Sequence, residues 1–159
     1  MVENVGQTEA MRVYLPATVP ALADSRGLSA RAGRAVTPGL RTALGAEADE
    51  EMAEYAALVL AAEDSLALLA GSDAPRRVVV AADVADSVVR VDDAELARVH
   101  VAEVPVTDMV SFHVDAADES VRALVARAVG GDQQATADLG DEDLLWYDIS
   151  EREALVAEG

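Results

Sequence analysis

The sequence predicts an α+β fold in two layers, in which a mixed β-sheet of about four to five strands carries helices mainly on one face. Three observations lead to this prediction. One long segment has apolar residues at helical spacing, several short segments are rich in valine or alternate between apolar and polar residues, and long helices stand beside short strands. The 159 residues suffice for one domain, assigned to residues 11–159, after a loose polar tail over residues 1–10.

The first part of the predicted domain contains one strand and two short helices. Residues 12–17 alternate between two faces, which is typical of a strand. Thr18 is suited to cap a short helix after it. Residues 27–34 are polar and contain glycine, and we predict a loop there. Thr37, followed by proline, predicts a second helix start, and Gly45 predicts its end.

Residues 47–70 give the strongest helix signal. Four acidic residues occupy the first turn, where the helix dipole favours negative charge, and Gly71 is a natural stop. Six apolar residues recur at spacings of three and four and define one stripe, which we predict to cover the sheet: Met52, Tyr55, Val59, Ala62, Leu66 and Leu69.

The second half of the chain predicts the remaining strands and two helices. Residues 76–83 are almost continuously apolar, which is typical of a strand buried on both faces. Residues 98–104 and 109–115 alternate between apolar and polar positions, which indicates strands with one buried face. The remaining predictions are a helix over residues 116–129 capped by Asp115, a polar loop over 132–141, a strand over 144–149 and a short terminal helix.

The composition excludes several classes of protein. The chain contains neither cysteine nor lysine, so disulfides, thiolate metal sites, cysteine nucleophiles and lysine-based catalysis are excluded. The formal net charge of −18 disfavours direct binding to nucleic acid or to an anionic membrane, and no apolar run is long enough to span a membrane. The absence of cysteine fits a reducing compartment, so we expect a soluble, acidic, cytoplasmic protein, and we predict no cofactor.

Four segments together resemble a known family. They are MRVYLPAT over residues 11–18, RRVVVAADV over 76–84, SFHVDAAD over 111–118 and DLLWYDISE over 143–151. In this order and at these positions they resemble a family of small, uncharacterised actinobacterial proteins, a domain of unknown function. The resemblance covers nearly everything from Met11 onward and implies an intracellular actinobacterial protein. It brings no activity, cofactor or catalytic residue.

One histidine and one aspartate give the sharpest hypothesis for chemistry. His113 and Asp115 lie two residues apart on a predicted strand and therefore share a face. A tight turn at residues 106–107 would place His100 directly opposite His113 in a hairpin. Two imidazoles and a carboxylate could then bind a divalent metal or act as a base with its orienting group. Against this, Asp115 already has a role as a helix cap, and a longer turn would break the register.

Two further groups are candidates for binding. Arg12, Arg76 and Arg77 begin predicted strands and could form a small anion site, although pairing with surface acids is the simpler expectation. Trp146 and Tyr147 are neighbours on the last strand and must face opposite ways. One of them is expected in the core and the other at the surface as a contact site, unless the terminal helix covers both.

Three hypotheses for function follow from these residues. The leading one is a non-enzymatic domain that binds a protein partner or associates with itself, because no assembled catalytic motif is present. The alternative is a metal-dependent or acid–base enzyme that uses His100, His113 and Asp115. A third, weaker hypothesis is an acidic mimic of nucleic acid that binds a basic protein.

Overall fold

The computed structural model of the chain describes residues 9–70 and 75–158. Within them, seven strands form one sheet and five α-helices pack around it. None of these helices is long and apolar enough to cross a membrane. The strands are β1 (Ala10–Ala17), β2 (Arg31–Ala35), β3 (Val78–Ala85), β4 (Val89–Asp93), β5 (Arg98–Val101), β6 (Met109–Val114) and β7 (Leu145–Asp148). The helices are α1 (Pro38–Leu44), α2 (Glu50–Leu68), α3 (Glu119–Val129), α4 (Gln133–Leu139) and α5 (Arg152–Glu158).

The sheet has the order β4-β5-β2-β1-β3-β6-β7, and every neighbouring pair is antiparallel. The longest pairing joins β1 to β3 at the centre, from Ala10 opposite Ala85 to Ala17 opposite Val78. The α+β class is as predicted, but the sheet has seven strands where four to five were predicted, and it is antiparallel where a mixed sheet was predicted. The predicted tail, residues 1–10, lies outside the described residues except for Glu9 and Ala10.

Strand β2 lies where the sequence predicted a loop over residues 27–34. The polar residues of β2 led to the loop prediction, but Arg34 is buried in the sheet under α2, where Asp64 neutralises its charge. Gly33 is required by close packing: a Cβ there would lie 2.9 Å from the carbonyl oxygen of Tyr14. Strand β4 was also missed, because it is an edge strand whose residues are largely exposed.

The predicted polar loop over residues 132–141 is instead the helix α4. Asp132 caps it by accepting hydrogen bonds from the backbone N–H groups of Gln134 and Ala135 at 3.0 and 3.1 Å. Only two of its residues, Ala135 and Leu139, are buried, so its apolar face is too narrow to stand out in the sequence. The cap predicted at Asp115 is wrong, since α3 begins at Glu119 and Asp118 caps it.

The long helix α2 turns a different face to the sheet from the one predicted. Its buried residues are small: Ala53, Ala57, Ala61, Ala62 and Ser65. The stripe prediction holds for Ala62 and Leu69, which are buried, and is wrong for Met52 and Tyr55, which are 56% and 55% exposed.

Small side chains allow α2 to approach the strands closely. Ser65 then ties the helix to two of them, because its hydroxyl donates to the carbonyl of Ala17 at 2.9 Å and accepts from the N–H of Val78 at 3.1 Å. The position of α2 is therefore fixed by an alanine face and one buried hydroxyl, and its larger apolar side chains are left beside the sheet.

The two faces of the sheet carry separate clusters. On the α2 face, Tyr14, Val79 and Ala81 pack with the alanines of the helix. On the opposite face, strand residues such as Leu15 and Phe112 pack with Leu155 of α5. The helices α3 and α4 form a third cluster with Leu69, beyond the end of α2.

Helix α2 packs on β1, β2 and β3 at the centre of the sheet. An α-helix with its side chains is about 10 Å across, whereas seven strands spaced about 4.8 Å apart span about 29 Å. One helix therefore leaves sheet surface uncovered on both of its sides. Three of the concave surfaces among the described residues lie along these two flanks.

Candidate functional site

The structure does not bring together the three residues predicted to form a metal or acid–base site, because His100 lies far from the other two. His100 is on β5 and His113 is on β6, and the strands β2, β1 and β3 lie between them. Four interstrand spacings separate the two residues by about 19 Å. The predicted hairpin is wrong, because β5 pairs with β2 and β4, whereas β6 pairs with β3 and β7. Across residues 9–70 and 75–158, no group of three or more histidine, aspartate or glutamate side chains could hold a metal ion.

Asp115 is fully buried and has a structural role. Its carboxylate lies 2.8 Å from Nη2 of Arg77 and accepts the backbone N–H of Arg77 at 2.8 Å. Its carbonyl oxygen accepts from Nε and Nη2 of Arg76 at 3.0 and 2.9 Å. Arg76 also pairs with Glu158 at 2.9 Å. These bonds join the end of β6 to the residues that precede β3, and Asp115 is unavailable for chemistry.

The structure does not bring Arg12 together with Arg76 and Arg77. Because β1 and β3 are antiparallel, Arg12 lies opposite Asp83, about 20 Å along the sheet from Arg77. Arg12 pairs with Asp83 through Nε and Nη2 at 2.6 and 3.1 Å. Each of the three predicted anion-binding arginines therefore has its own carboxylate partner.

A groove runs along the flank of α2 that faces β6 and β7, and we call it the α2–β7 groove. It consists of two adjoining depressions of about 330 and 300 Å³ that share Tyr55 and Leu58 of α2. One depression lies between α2 and the segment that joins α4 to β7. The other is lined by residues of the sheet and of the helix: Arg12, Tyr14, Tyr55, Ser111, His113 and Trp146.

Aromatic side chains are concentrated in this groove. The chain has only five aromatic residues, and three of them, Tyr14, Tyr55 and Trp146, line one depression. Trp146 is 61% exposed and lies opposite His113 in the β6–β7 pairing. Its neighbour Tyr147 faces the other way and packs against the opposite core cluster. The groove thus holds most of the aromatic surface that a partner could contact.

Acidic residues surround the aromatic side chains. Glu51 and Glu54 line one depression, and Glu142 and Asp143 line the other. Among the described residues, none of these four carboxylates forms a salt bridge. The cations of the groove, Arg12 and Arg77, are already neutralised by aspartates, so the groove has a net negative charge.

Burial shifts the titration of two groups in the groove. Burial raises the pKa of the Tyr14 hydroxyl, and the negative charge of Glu54 raises it further. Burial lowers the pKa of the His113 imidazole below its ordinary value, and the positive charge of Arg12 acts in the same direction. His113 is therefore neutral at neutral pH.

His113 does not form a catalytic pair with its neighbour. Its Nε2 lies 3.3 Å from Oγ of Ser111, but that hydroxyl belongs to a residue that is only 3% exposed. Among the described residues no carboxylate is hydrogen-bonded to the ring. A nucleophile needs both access to a substrate and a base that is oriented by a third group, and neither condition is met here.

The lowered pKa of His113 predicts a pH-dependent stability. The unfolded chain binds more protons than the folded one as the pH falls through about 6.5, so we expect the unfolding free energy to decrease there. The other charged or titratable groups that line the same depression are Arg12 and Tyr14 of β1 and Glu51, Glu54 and Tyr55 of α2. Urea unfolding between pH 8 and pH 5 should show that H113Q loses this part of the pH dependence. If the unfolding free energies of H113Q and the parent chain depended on pH in the same way, the lowered pKa of His113 would be contradicted.

Sequence reasoning found Trp146 and His113 but missed Tyr14, Tyr55 and Glu54 as residues of a shared surface. Tyr55 was assigned to the core, because it belongs to an apolar stripe of helical spacing. The available signal was the second stripe of α2, formed by Ala53, Ala57 and Ala61 at a spacing of four. When a helix has a stripe of small residues beside a stripe of large residues, it can pack against the sheet through the small residues.

The fold and the groove together define a small α+β domain with one antiparallel sheet and an open, aromatic and acidic surface. Within its described residues, no group of three or more possible metal ligands is found, and His100 lies far from His113. The chain belongs to the family described as "Family of unknown function (DUF6912)", whose model matches residues 11–156. This match confirms the resemblance to a domain of unknown function that the four sequence segments indicated. Comparison with curated proteins and with solved structures gives no match.

Proposed function

We propose that this chain is a non-enzymatic protein-interaction domain whose α2–β7 groove binds a basic segment of a partner protein. The observation that carries the proposal is the convergence of Tyr14, Tyr55 and Trp146 on one depression in a chain with five aromatic residues. Tyr55 and Trp146 are the exposed members, whereas Tyr14 is buried. Exposed aromatic side chains in a concave site are typical anchors of protein interfaces.

The charge of the groove selects the chemistry of the partner. Glu51 and Glu54 lie beside Trp146 and Tyr55 in one depression. An arginine or lysine side chain placed there gains both a carboxylate and an aromatic face, because cations are attracted to the faces of tryptophan and tyrosine rings. Apolar residues of the same segment would pack on Leu58 and in the depression between α2 and the segment that joins α4 to β7. The expected partner segment therefore combines basic and apolar side chains.

Self-association is the rival use of this surface. Two copies would each bring a formal charge of −18, and their acidic grooves would face further acidic surface. Net charge of this size keeps copies of a protein apart in solution. A basic partner explains the charge of the groove, which self-association does not. The enzyme that was the alternative hypothesis loses its support, because His100 lies four strands away from His113 and Asp115 is buried in an ion pair with Arg77.

The cellular setting is part of the same proposal. We propose that the domain works in the cytoplasm of an actinobacterium. The support is compositional: all twelve basic residues are arginine, no residue is cysteine, and the chain is rich in alanine and valine.

A synthetic peptide in which arginine alternates with leucine tests the proposal, with a glutamate-for-arginine peptide as the negative probe. In isothermal titration calorimetry, we expect the basic peptide to bind and the acidic peptide not to bind. W146A should weaken binding about thirtyfold and Y55A about tenfold, as expected for aromatic anchors. E51Q combined with E54Q should weaken binding at low salt and reduce its salt dependence.

The control is L145A, which changes an exposed residue of the same strand whose side chain faces away from the groove. L145A should bind the basic peptide as the parent chain does. The proposal is wrong if Y55A and L145A bind equally well. It is also wrong if light scattering shows that the free chain is a dimer through Trp146, since self-association would then occupy the groove.

A further inference from the structure

The other flank of α2 holds a cleft of about 680 Å³, which is larger than either depression of the α2–β7 groove. We call it the α2–β5 cleft. It lies between the C-terminal half of α2 and the neighbouring ends of β2 and β5. The residues that matter for its chemistry are two arginines, two acids and two apolar residues: Arg31, Arg98, Glu63, Asp64, Ala67 and Leu68. This volume is in the range of pockets that bind small molecules.

The two arginines of the cleft differ from most others in the chain. At least eight of the twelve arginines form a salt bridge with an aspartate or glutamate. Among the described residues, neither Arg31 nor Arg98 has a carboxylate within 4.0 Å. A chain with 30 acidic residues has ample carboxylates to pair them. Arg152 also lacks a salt bridge among the described residues, but it lies elsewhere, whereas Arg31 and Arg98 line the same cleft.

Arg31 is held rigidly without losing its charge. Its Nε donates to the carbonyl of Ser29 at 3.0 Å, Nη1 donates to the carbonyl of Pro16 at 2.9 Å, and Nη2 donates to the hydroxyl of Ser29 at 3.1 Å. A guanidinium has five N–H groups, so one remains on Nη1 and one on Nη2. Burial lowers the pKa of Arg31, and no nearby carboxylate opposes that effect. The Arg31 guanidinium is therefore held in one orientation, and its charge has no carboxylate partner among the described residues.

The acids of the cleft do not cancel these cations. Asp64 is paired with Arg34 through two hydrogen bonds of 2.7 and 2.9 Å. The exposed Glu63 is then the remaining carboxylate, set against both Arg31 and Arg98. The unpaired charges that line the cleft are therefore two positive and one negative, and Asp93 lies opposite Arg98 in the sheet without lining the cleft. Beside this positive region, Leu68 is 46% exposed and gives the cleft an apolar wall.

We propose that the α2–β5 cleft is a binding site for a small organic anion, in which Arg31 and Arg98 hold a carboxylate or phosphate group and Ala67 and Leu68 contact its apolar part. Guanidinium groups bind both anionic groups through paired N–H donors. This site is separate from the α2–β7 groove, because the two lie on opposite flanks of α2. Its occupation does not require the partner segment proposed for the groove.

Chemical-shift titration of the ¹⁵N-labelled chain tests this site with four probes: hexanoate, hexyl phosphate, inorganic phosphate and hexanol. We expect saturable shifts at the backbone amides of Ala32, Ala67 and Leu68 with hexanoate or hexyl phosphate. The stronger of these two identifies the anionic group. Inorganic phosphate should bind more weakly, because it lacks an apolar part, and hexanol should give no saturable shift.

Variants separate the arginines from the apolar wall. R98Q changes an exposed side chain and should keep the fold while weakening the preferred probe about tenfold, as expected for the loss of one charged hydrogen-bonding partner. R31Q should weaken it at least as much. R26Q is the matched control, because Arg26 is exposed, paired with Asp24 and outside the cleft. Equal affinities for R98Q and R26Q, shifts that do not saturate, or hexanol binding as tightly as the anions would each overturn the proposal.

Discussion

Replacing Asp115 with alanine is expected to destabilise the domain by about 3–5 kcal/mol, as found when one partner of a buried ion pair is removed. The Arg77 side chain is only 6% exposed, and removal of the carboxylate would leave its charge buried without a counterion. The backbone N–H of Arg77 would also lose its acceptor. Urea unfolding followed by circular dichroism measures this change.

Two variants sharpen the Asp115 prediction. D115N retains an acceptor for the backbone N–H but removes the charge, so its loss of stability should be smaller than that of D115A. D83A is the matched control, because Asp83 pairs with Arg12 in a salt bridge with both side chains at least 40% exposed. Removing an exposed pair should cost no more than about 1 kcal/mol. If D115A and D83A lost similar stability, the structural role of Asp115 would be refuted.

Replacing Ala57 with leucine is expected to destabilise the domain by about 3 kcal/mol, the upper part of the range for overpacking a filled core. Ala57 is fully buried and shares a cluster with Tyr14, Val79 and Ala81 of the sheet. Three added carbon atoms would have to push α2 away from the strands. The midpoint of urea unfolding measures the loss.

The control for this substitution is A67L on the same helix. Ala67 is exposed, so an added leucine side chain should change the unfolding free energy by no more than about 0.5 kcal/mol. The comparison distinguishes the two orientations of α2 directly. A large loss for A67L together with a small loss for A57L would show that the alanine face does not rest on the sheet.

Local signals in the sequence predicted the helices best. Thr37 accepts the N–H of Leu40 and Gly45 ends α1, as the Thr-Pro and glycine signals indicated. The cap of α2 at Asp49 lies within the acidic first turn that was predicted. Caps and turns involve residues a few positions apart, so one sequence contains the information needed to find them.

Strand pairing was beyond the reach of the same reasoning. Strand β5 pairs with β2, about 65 residues earlier in the chain, and a sequence pattern does not reveal a partner at that distance. The hairpin between His100 and His113 was inferred from adjacency in the sequence, and it failed for this reason. The exposed edge strand β4 and the arginine-containing β2 also lack the apolar alternation by which strands are found.

Among the candidate site residues, too, those found by local rules were predicted and those that depend on tertiary packing were missed. Trp146 was found because neighbouring residues of a strand must face opposite ways, which is a local rule. Tyr55 was missed because two stripes of α2 had helical spacing, and only the close approach of the helix to the sheet decides between them. The arginines of the α2–β5 cleft were missed because a sequence does not show which carboxylates lie near an arginine. Only the three-dimensional structure shows that these two have no carboxylate partner.

The central claim is that the single tryptophan of the chain stands in an open groove that a basic segment covers, and quenching of its fluorescence by acrylamide measures this directly. Trp146 should be quenched strongly in the free chain and become protected when the arginine–leucine peptide is bound at saturation. Weak quenching in the free chain, or unchanged quenching with the peptide bound, would contradict the account.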